Sequence, residues 1–311
     1  MLRQIVLRDS AAGEWLTFAS PVDVLTAGKP AEVMSVLRAA ERRVEEERLY
    51  AVGFLTYEAA SGFDEAYRTR APGSLPLVCL GLFREPARSS ALPPAGEGQA
   101  QASDWQFSSS REDYLEKIAA IRNEIAEGNT YQVNYTVRLH AERAGDSWEL
   151  FRAAAADAPF AVWIDAEDYA VVSASPELFF RLCGERILCK PMKGTAPRGM
   201  TLQEDRANRR RLGESAKDKA ENVMITDMVR NDVGRIAVPG SVRAEMLFDI
   251  ARFRTVWQMT STVTASTTSS VTDILQALFP SASVTGAPKV ASMNLIAALE
   301  QSPRGVYTGA I

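Results

Sequence analysis

A lysine and a glutamate near the middle of the sequence are placed where they could do nucleophilic or acid–base chemistry. Lys193 stands beside Gly194 in PMKGT (191–195), after a strand-like run. A lysine there is either a surface charge or a nucleophile with a lowered pKa. Glu177 follows Ser-Pro at the end of YAVVSAS (169–175), where a carboxylate is a general acid or base, or only a turn residue. Residue types alone leave these alternatives open.

A loop of small residues, FPSASVTGAP (279–288), leads into an amphipathic helix near the end of the chain. Pro288 suits the first position of a helix, and backbone amides at a helix N-terminus can bind an anion. An ordinary loop-to-helix connection has the same pattern. The residues that could meet a carboxylate or phosphate there are Thr285, Gly286, Ala287 and Lys289.

An acidic side chain on a predicted helix offers a possible metal ligand. The segment SAKDKAENVMITDMVRNDVGR (215–235) predicts a charged helix, and Glu221 lies on it. This glutamate is either solvated or a ligand of Mg²⁺, which prefers carboxylate oxygens. The sequence has no GxxxxGK[ST] phosphate loop, no GxGxxG at the start of a βαβ unit and no GxSxG elbow.

Composition excludes several classes of protein. The chain has 311 residues, a formal net charge of −4 and no basic run separate from acidic neighbours, so nucleic-acid binding is not expected. It has no apolar stretch of 18 residues, so we expect no membrane span. A single histidine, His140, weakens any histidine-based triad, and the few cysteines are typical of a reducing cytoplasm, where we expect the protein.

The elements that must position these residues predict an α+β fold. Residues 30–47 predict a helix with Val33, Leu37 and Ala40 on one face. YAVGFLTY (50–57) and LPLVCLGLF (75–83) predict strands. The Pro/Ala/Gly-rich stretch 86–104 is the best candidate linker. We therefore predict an N-terminal α/β region, 1–104, and a catalytic region, 105–311.

The second region begins with a signalled helix and continues with short strands. Ser109 and Glu112 fit a capping box, with Gly128 as the stop. YQVNYTVRL (131–139) alternates strictly and predicts a strand. A helix near 146–156 follows, and then strand-like runs turn at Gly184-Glu185. Consecutive short strands favour antiparallel pairing.

Six stretches in family order resemble the chorismate-utilising enzymes, which include anthranilate, aminodeoxychorismate, isochorismate and salicylate synthases. The N-terminal part resembles the family more loosely, through GFLTYEAA (53–60). The resemblance implies an α+β fold of antiparallel sheets packed as a sandwich with outer helices. The six stretches are GNTYQVNYT (128–136), SASPELFF (173–180), KPMKGTAPRG (190–199), AKDKAENVMITDMVRNDVGRI (216–236), VWQMTSTV (256–263) and LFPSASVTGAPKVASM (278–293).

Three positions resemble the aminodeoxychorismate branch of the family. Lys193 stands where that branch carries the lysine that attacks C2 of chorismate. Gln132 takes the place of the lysine with which isochorismate and salicylate synthases activate water. Gln258 replaces a histidine associated with pyruvate elimination in anthranilate synthases, so the product should keep its enolpyruvyl group. Anthranilate synthase component I is the alternative.

The resemblance also implies a stepwise reaction. Glu177 would protonate the departing C4 hydroxyl while Lys193 adds at C2; ammonia would then attack C4, giving 4-amino-4-deoxychorismate for 4-aminobenzoate and folate synthesis. Mg²⁺, held partly by Glu221, would bind the ring carboxylate. A glutamine amidotransferase subunit would supply the ammonia. The residues implied to bind the substrate are Thr195, Thr285, Gly286, Ala287, Lys289, Gln258 and Gly309.

The last residues, GVYTGAI (305–311), predict the start of an apolar strand with no turn or polar tail after it. We infer a C-terminally truncated version of a longer chain; an edge strand at a natural terminus is the alternative. Family members continue with an arginine-bearing strand, a glycine-rich loop and a second acidic metal ligand. We therefore expect incomplete substrate and Mg²⁺ sites, and an inactive fragment that binds chorismate or a partner is a further alternative.

Overall fold

The computed structural model describes residues 2–96, 101–155 and 157–311. It divides into two compact units. The first unit comprises Met1–Pro176 and Val290–Ile311, and the second unit is the continuous segment Glu177–Lys289. The predicted boundary at 104/105 lies inside the first unit, because strands from both sides of it pair in one sheet. Residues 97–100 of the predicted linker lie outside the described residues.

The first unit is rich in short strands. Its elements up to Pro176 are β1 (Leu2–Asp9), β2 (Glu14–Ala19), β3 (Asp23–Ala27), α1 (Pro30–Glu47), β4 (Tyr50–Leu55), a 3₁₀ helix (Tyr57–Gly62), β5 (Val78–Phe83), β6 (Ala87–Ser89), β7 (Gln101–Ala102), β8 (Gln106–Phe107), α2 (Arg111–Ala126), β9 (Gln132–Val133), β10 (Leu139–His140), β11 (Arg143–Ala144), α3 (Ser147–Ala154), β12 (Phe160–Ala166) and β13 (Ala170–Ser175).

Two antiparallel sheets of this unit pack face to face. One has the order β13-β12-β1-β2-β6 and the other β3-β5-β4. They share a core in which Ile5 and Ile164 of the larger sheet meet Phe54 and Phe83 of the smaller one. The helix α1 covers the outer face of the smaller sheet through Ala40, and α3 covers that of the larger sheet. The predicted sandwich with outer helices is confirmed within this unit.

The second unit is built on one antiparallel sheet flanked by helices. Its strand order is β14-β15-β18-β16, with β17 also paired to β18. The helices α5 and α6 pack their apolar faces on this sheet. Its elements are β14 (Leu178–Cys183), β15 (Arg186–Lys190), β16 (Met192–Pro197), α4 (Leu202–Glu214), α5 (Ala216–Gly234), β17 (Arg243–Arg252), β18 (Val256–Ser266), α6 (Val271–Leu278), α7 (Ala282–Thr285) and β19 (Gly286–Ala287). The last helix of the chain is α8 (Lys289–Leu299).

Several local predictions agree with the structure, and others differ by one residue. The helix α1 buries Val33, Leu37 and Ala40, as the apolar spacing predicts. The N-cap of α2 is Ser110, whose side chain accepts from the Asp113 amide, so the predicted cap at Ser109 is wrong by one position. Two neighbouring serines fit the same pattern, and only the chain's path selects between them.

The predicted strand 131–139 forms only at its two ends, as β9 and β10. Between them, side chains take the place of a neighbouring strand. The Asn134 carbonyl accepts from Arg304, the Thr136 amide donates to Glu300, and the Arg138 amide donates to Ser108. Alternation of side chains therefore occurs here without a continuous ladder.

The predicted strand 305–311 is a set of turns. Gly305 and Thr308 have positive φ, and the Gly309 amide donates to the Val306 carbonyl. One isolated bridge joins Ala310 to Leu55. The turn chemistry of the glycines prevails over the apolar pattern.

A buried charged cluster holds this C-terminal segment within the first unit. Arg304, 3% exposed, forms an ion pair with Glu300. The carboxylate of Glu58, far back in the sequence, accepts from the amides of Arg304 and Gly305. Burial raises the pKa of Glu58, and these hydrogen bonds partly oppose the effect. Among the described residues, no helix has the length and apolarity needed to cross a membrane.

Candidate active site

Lys193 lies at an irregularity in β16. Met192 pairs with Thr260 and Thr195 with Gln258, so one extra residue is accommodated between these two pairs. Gly194 has φ +95°, a region that side chains rarely adopt. Such a β-bulge re-aims the side chain beside it. The positive φ at the bulge therefore explains why a glycine follows Lys193.

Asn222 of α5 holds this bulge in place. Its side-chain amide donates to the carbonyl oxygens of Lys193 (3.2 Å) and Met259 (3.4 Å), and its oxygen accepts from the Ser261 hydroxyl. Asn222 is 1% exposed, so its side-chain amide needs partners inside the protein, and these backbone carbonyls provide them. The hydrogen bond from α5 thereby fixes the backbone at Lys193.

Ser283, in the short helix α7, connects the two predicted catalytic side chains. Its carbonyl oxygen accepts from Lys193 Nζ at 2.8 Å. Its hydroxyl donates to Glu177 Oε1 at 2.7 Å. Glu177 lies at the turn between β13 and β14, so the structure brings together three residues that are distant in sequence.

The electrostatics of this cluster suit a nucleophile beside an acid. Burial lowers the pKa of Lys193, and the negative charges of Glu177 and Glu221 partly oppose this shift. Burial also raises the pKa of Glu177, against the hydrogen bond from Ser283 and the charge of Lys193. Both directions favour the uncharged forms. A neutral amine can attack an electrophilic carbon, and a protonated carboxyl can deliver a proton.

Two of the predicted substrate-binding residues bond each other. Thr195 lies opposite Gln258 in the pairing of β16 with β18, and its hydroxyl donates to Gln258 Oε1 at 2.8 Å. The neutral glutamine amide cannot serve as the imidazole base that the family histidine would provide. Their contact with a substrate stays a prediction.

Glu221 fits the role of one carboxylate in a metal site, but not of a complete site. Glu221 is partly exposed on α5, and its Oε1 atom lies 3.7 Å from Nζ of Lys217. Among the residues that the structure describes, no group of three or more His, Cys, Asp or Glu could hold a metal ion. Mg²⁺ often uses only one or two protein carboxylates, with substrate oxygens and water completing its shell.

The four residues of the predicted anion site are buried. Thr285 bonds its own loop through the Ser281 carbonyl, and Gly286 and Ala287 follow it directly. Lys289 donates to Asp232 at 2.8 Å, so its ammonium already has an anionic partner inside the protein. Their binding of a substrate carboxylate stays a prediction.

Gly309, the remaining predicted substrate-binding residue, belongs to the first unit. A side chain at this position would collide with the Leu55 carbonyl. The glycine is thus required by close backbone packing within its own unit. A role in substrate binding stays a prediction.

Sequence reasoning missed Ser283, Asn222 and Asp232 as functional residues. Serine in a small-residue loop and asparagine on a charged helix give no local signal. The one available clue was the position of Asn222 and Asp232 on α5, where they lie inside an apolar stripe and are buried. Polar residues at core positions need partners, and that need points to a site.

Comparison with known proteins agrees with the residue pattern. The chorismate binding enzyme family matches residues 3–311. Aminodeoxychorismate synthase component 1 of Escherichia coli K12 is 42% identical over 213 residues, covering 67% of this chain and 47% of that protein. The anthranilate synthase alpha subunit 1 of Oryza sativa subsp. japonica is 30% identical over 269 residues, covering 85% of this chain and 47% of that protein. The chain thus spans about half the length of these curated relatives.

Solved structures agree on the fold. Anthranilate synthase component I from Streptococcus pneumoniae TIGR4 superposes with a TM-score of 0.82 at 22% identity, covering 96% of this chain and 79% of that one. The family match extends over almost every residue, 3–311. The chain belongs to the chorismate binding enzyme family.

Proposed function

We propose that this chain is the chorismate-aminating component of an aminodeoxychorismate synthase, converting chorismate and ammonia to 4-amino-4-deoxychorismate. The contact of Lys193 and Glu177 with the single residue Ser283 carries the proposal. It puts an amine with a lowered pKa beside a carboxyl with a raised one. That combination suits attack on a carbon of the conjugated ring diene, with protonation of the hydroxyl that leaves from C4.

The proposed reaction has two displacements. The Lys193 amine forms a bond to C2 of chorismate, both conjugated ring double bonds shift by one position, and the C4–oxygen bond breaks. Glu177 supplies the proton with which the hydroxyl leaves as water. Ammonia then forms a bond to C4, both double bonds shift back, and the C2–nitrogen bond to Lys193 breaks. Mg²⁺, with Glu221 as its proposed ligand, would neutralise carboxylate charge on chorismate when bound.

The ammonia is proposed to come from a glutamine amidotransferase subunit. Support comes from the name of the 42% identical relative, which is a component 1. The pathway assignment to 4-aminobenzoate and folate, and the cytoplasmic location, rest on the same proposal.

Anthranilate synthase is the second candidate, and Gln258 argues against it. Formation of anthranilate needs loss of the enolpyruvyl group and aromatisation. Gln258 offers an amide that is bonded to Thr195 and cannot take up a proton at neutral pH. The identity of 42% to an aminodeoxychorismate synthase against 30% to an anthranilate synthase supports the same ranking.

A chromatographic product assay tests the proposal. The purified chain is incubated with chorismate, Mg²⁺ and ammonium, with an aminodeoxychorismate lyase added in a parallel sample. The expected product is aminodeoxychorismate, converted to 4-aminobenzoate only with the lyase. Lys193→Ala should abolish it, and Lys117→Ala on α2 is the matched control. Anthranilate with stoichiometric pyruvate, or unchanged turnover by Lys193→Ala, would overturn the proposal.

A further inference from the structure

A buried lysine joins the two ends of the loop that carries Ser283. This loop, residues 279–288, begins just after α6, contains the short elements α7 and β19, and ends at Pro288. Lys289 follows it directly and donates from Nζ to the carbonyl oxygen of Leu278, the last residue of α6, at 3.3 Å. One ammonium group therefore connects the residue before the loop to the residue after it.

Asp232 of α5 holds the Lys289 ammonium group in this position. Its carboxylate accepts from Lys289 Nζ at 2.8 Å, with side-chain exposures of 7% for the lysine and 13% for the aspartate. Burial lowers the pKa of Lys289 and raises that of Asp232, and each charge is sustained mainly by the other. Removing either partner would leave a buried charge without its counter-charge.

Hydrogen bonds inside the loop link the position of Ser283 to the contact between Lys289 and Leu278. The Thr285 hydroxyl donates to the Ser281 carbonyl at 3.0 Å. The hydroxyl groups of Ser281 and Ser283 lie 2.9 Å apart. Ser283, 4% exposed, has little freedom to move independently of these neighbours. Its contacts to Lys193 and Glu177 therefore depend on the geometry of the whole loop.

We propose that Lys289 and Asp232 form a clasp that positions Ser283, and through it Lys193 and Glu177, so that Lys289 is a positioning residue and not an anion ligand. The kinetic part of this inference rests on the proposed function. Its structural part concerns the loop alone and holds without turnover.

The two roles of Lys289 predict different kinetics. An anion ligand binds the substrate, so its loss raises KM for chorismate, and loss of Asp232 does not. A clasp aligns the reacting groups, so loss of either partner lowers kcat with little change in KM. A displacement of about 1 Å can cost roughly 100-fold in rate.

The test compares Lys289→Met, Asp232→Asn and the double variant. We expect each single variant to lower kcat by about 10- to 100-fold, with KM within a factor of about three. The double variant should be no worse than the worse single one, because both changes break the same contact. Lys289→Arg should recover most of kcat. A raised KM confined to Lys289→Met, or additive losses, would overturn the clasp.

Hydrogen exchange provides a readout that needs no activity. In Asp232→Asn, backbone amides of 279–288 should exchange at least about tenfold faster than in the unsubstituted chain, while those of the first-unit strand β12 stay unchanged. If the chain fails to aminate chorismate and exchange rises as expected, the proposed function is wrong and the clasp stands. Unchanged exchange overturns the clasp whatever the activity.

A more conservative variant guards against loss of folding. Asp232→Glu keeps both charges and lengthens one arm of the pair. Circular dichroism establishes that the variant is folded, and the same acceleration of exchange is expected at smaller amplitude. A folded Asp232→Glu chain whose backbone amides at 279–288 exchange as fast as those of Asp232→Asn, or faster, would overturn the inference.

Discussion

Lys193 on the bulge of β16 is partly buried and Lys289 at the end of the loop is buried, and burial lowers the pKa of each. They differ in their hydrogen-bond partners. Lys193 donates to the neutral carbonyl of Ser283, whereas Lys289 donates to the carboxylate of Asp232. A neutral partner orients an amine without holding its proton, and a carboxylate does hold it. In the roles proposed above, the hydrogen-bond partner, more than burial, distinguishes the reactive lysine from the positioning one.

The largest expected effect is the difference in kcat between the two variants in which arginine replaces Lys193 or Lys289. Lys193→Arg replaces the nucleophile with a guanidinium that stays protonated, so kcat should fall by more than about 10⁴-fold. Lys289→Arg keeps the charge facing Asp232 and should retain kcat within about tenfold. The chromatographic product assay measures both. Equal losses in the two variants would contradict the distinction between them.

Replacement of the acid should have the next largest effect. Glu177→Gln should lower kcat by about 100-fold or more, because an amide cannot deliver the proton to the leaving hydroxyl. Activity of the unsubstituted chain should decline at high pH as Glu177 ionises, whereas the variant should only rise with pH as Lys193 loses its proton. A steady-state pH profile distinguishes the two. A retained decline at high pH would assign that limb to another group.

The same variant sharpens the account of Lys193. The negative charge of Glu177 raises the pKa of Lys193 against the effect of burial. Its removal should therefore move acylation of Lys193 to lower pH, as followed by peptide mass spectrometry after brief treatment with acetic anhydride. Acylation of Lys289 should remain slow in both chains, since Asp232 holds its ammonium. Fast acylation of Lys289 would break the comparison.

The hydrogen bonds that Asn222 donates to the bulge should contribute to the stability of the chain as well as to its rate. Asn222→Ala leaves the Lys193 and Met259 carbonyls without this donor, at a cost of about 1–3 kcal/mol for each buried group left unpaired. Thermal or urea unfolding should show a loss of at least about 2 kcal/mol. Asn123→Ala, at an exposed position on α2, is the control and should change stability by less than about 0.5 kcal/mol.

The smallest expected effect is the difference in unfolding free energy between Gly→Ala variants at two glycines with positive φ. Gly184 turns the hairpin between β14 and β15 with nothing near an added Cβ, so Gly184→Ala should cost about 1–2 kcal/mol of backbone strain. At Gly194 the added Cβ would also lie 3.0 Å from that of Asp218, adding about 1–3 kcal/mol. Denaturant unfolding compares the two. Equal costs would mean that α5 yields to the added methyl group.

Sequence reasoning succeeded where the signal was local. The apolar spacing in α1 and the hairpin at Gly184 are set by neighbouring residues, and the structure confirms both. Lys193 and Glu177 were found through family stretches, and the structure places both against Ser283.

Sequence reasoning failed where partners are distant in the chain. Nothing near Ser283 indicates that it lies 106 residues from its carboxylate partner. The segment 131–139 alternates like a strand, but alternation does not reveal whether a neighbouring strand or the side chains of Glu300 and Arg304 will satisfy its backbone. The same limitation concealed Asp232, whose role depends on a lysine 57 residues away.

The two-segment composition of the first unit has a consequence for the order of events during synthesis. The carboxylate of Glu58 receives its backbone donor from Arg304, 246 residues later. At about 5–20 residues per second, roughly 12–50 s separate the emergence of the two from the ribosome. The second unit, Glu177–Lys289, is continuous and has all its residues before that time. The continuous segment that carries Lys193 can therefore reach its fold while the Glu58 carboxylate of the first unit still lacks the Arg304 and Gly305 amides as donors.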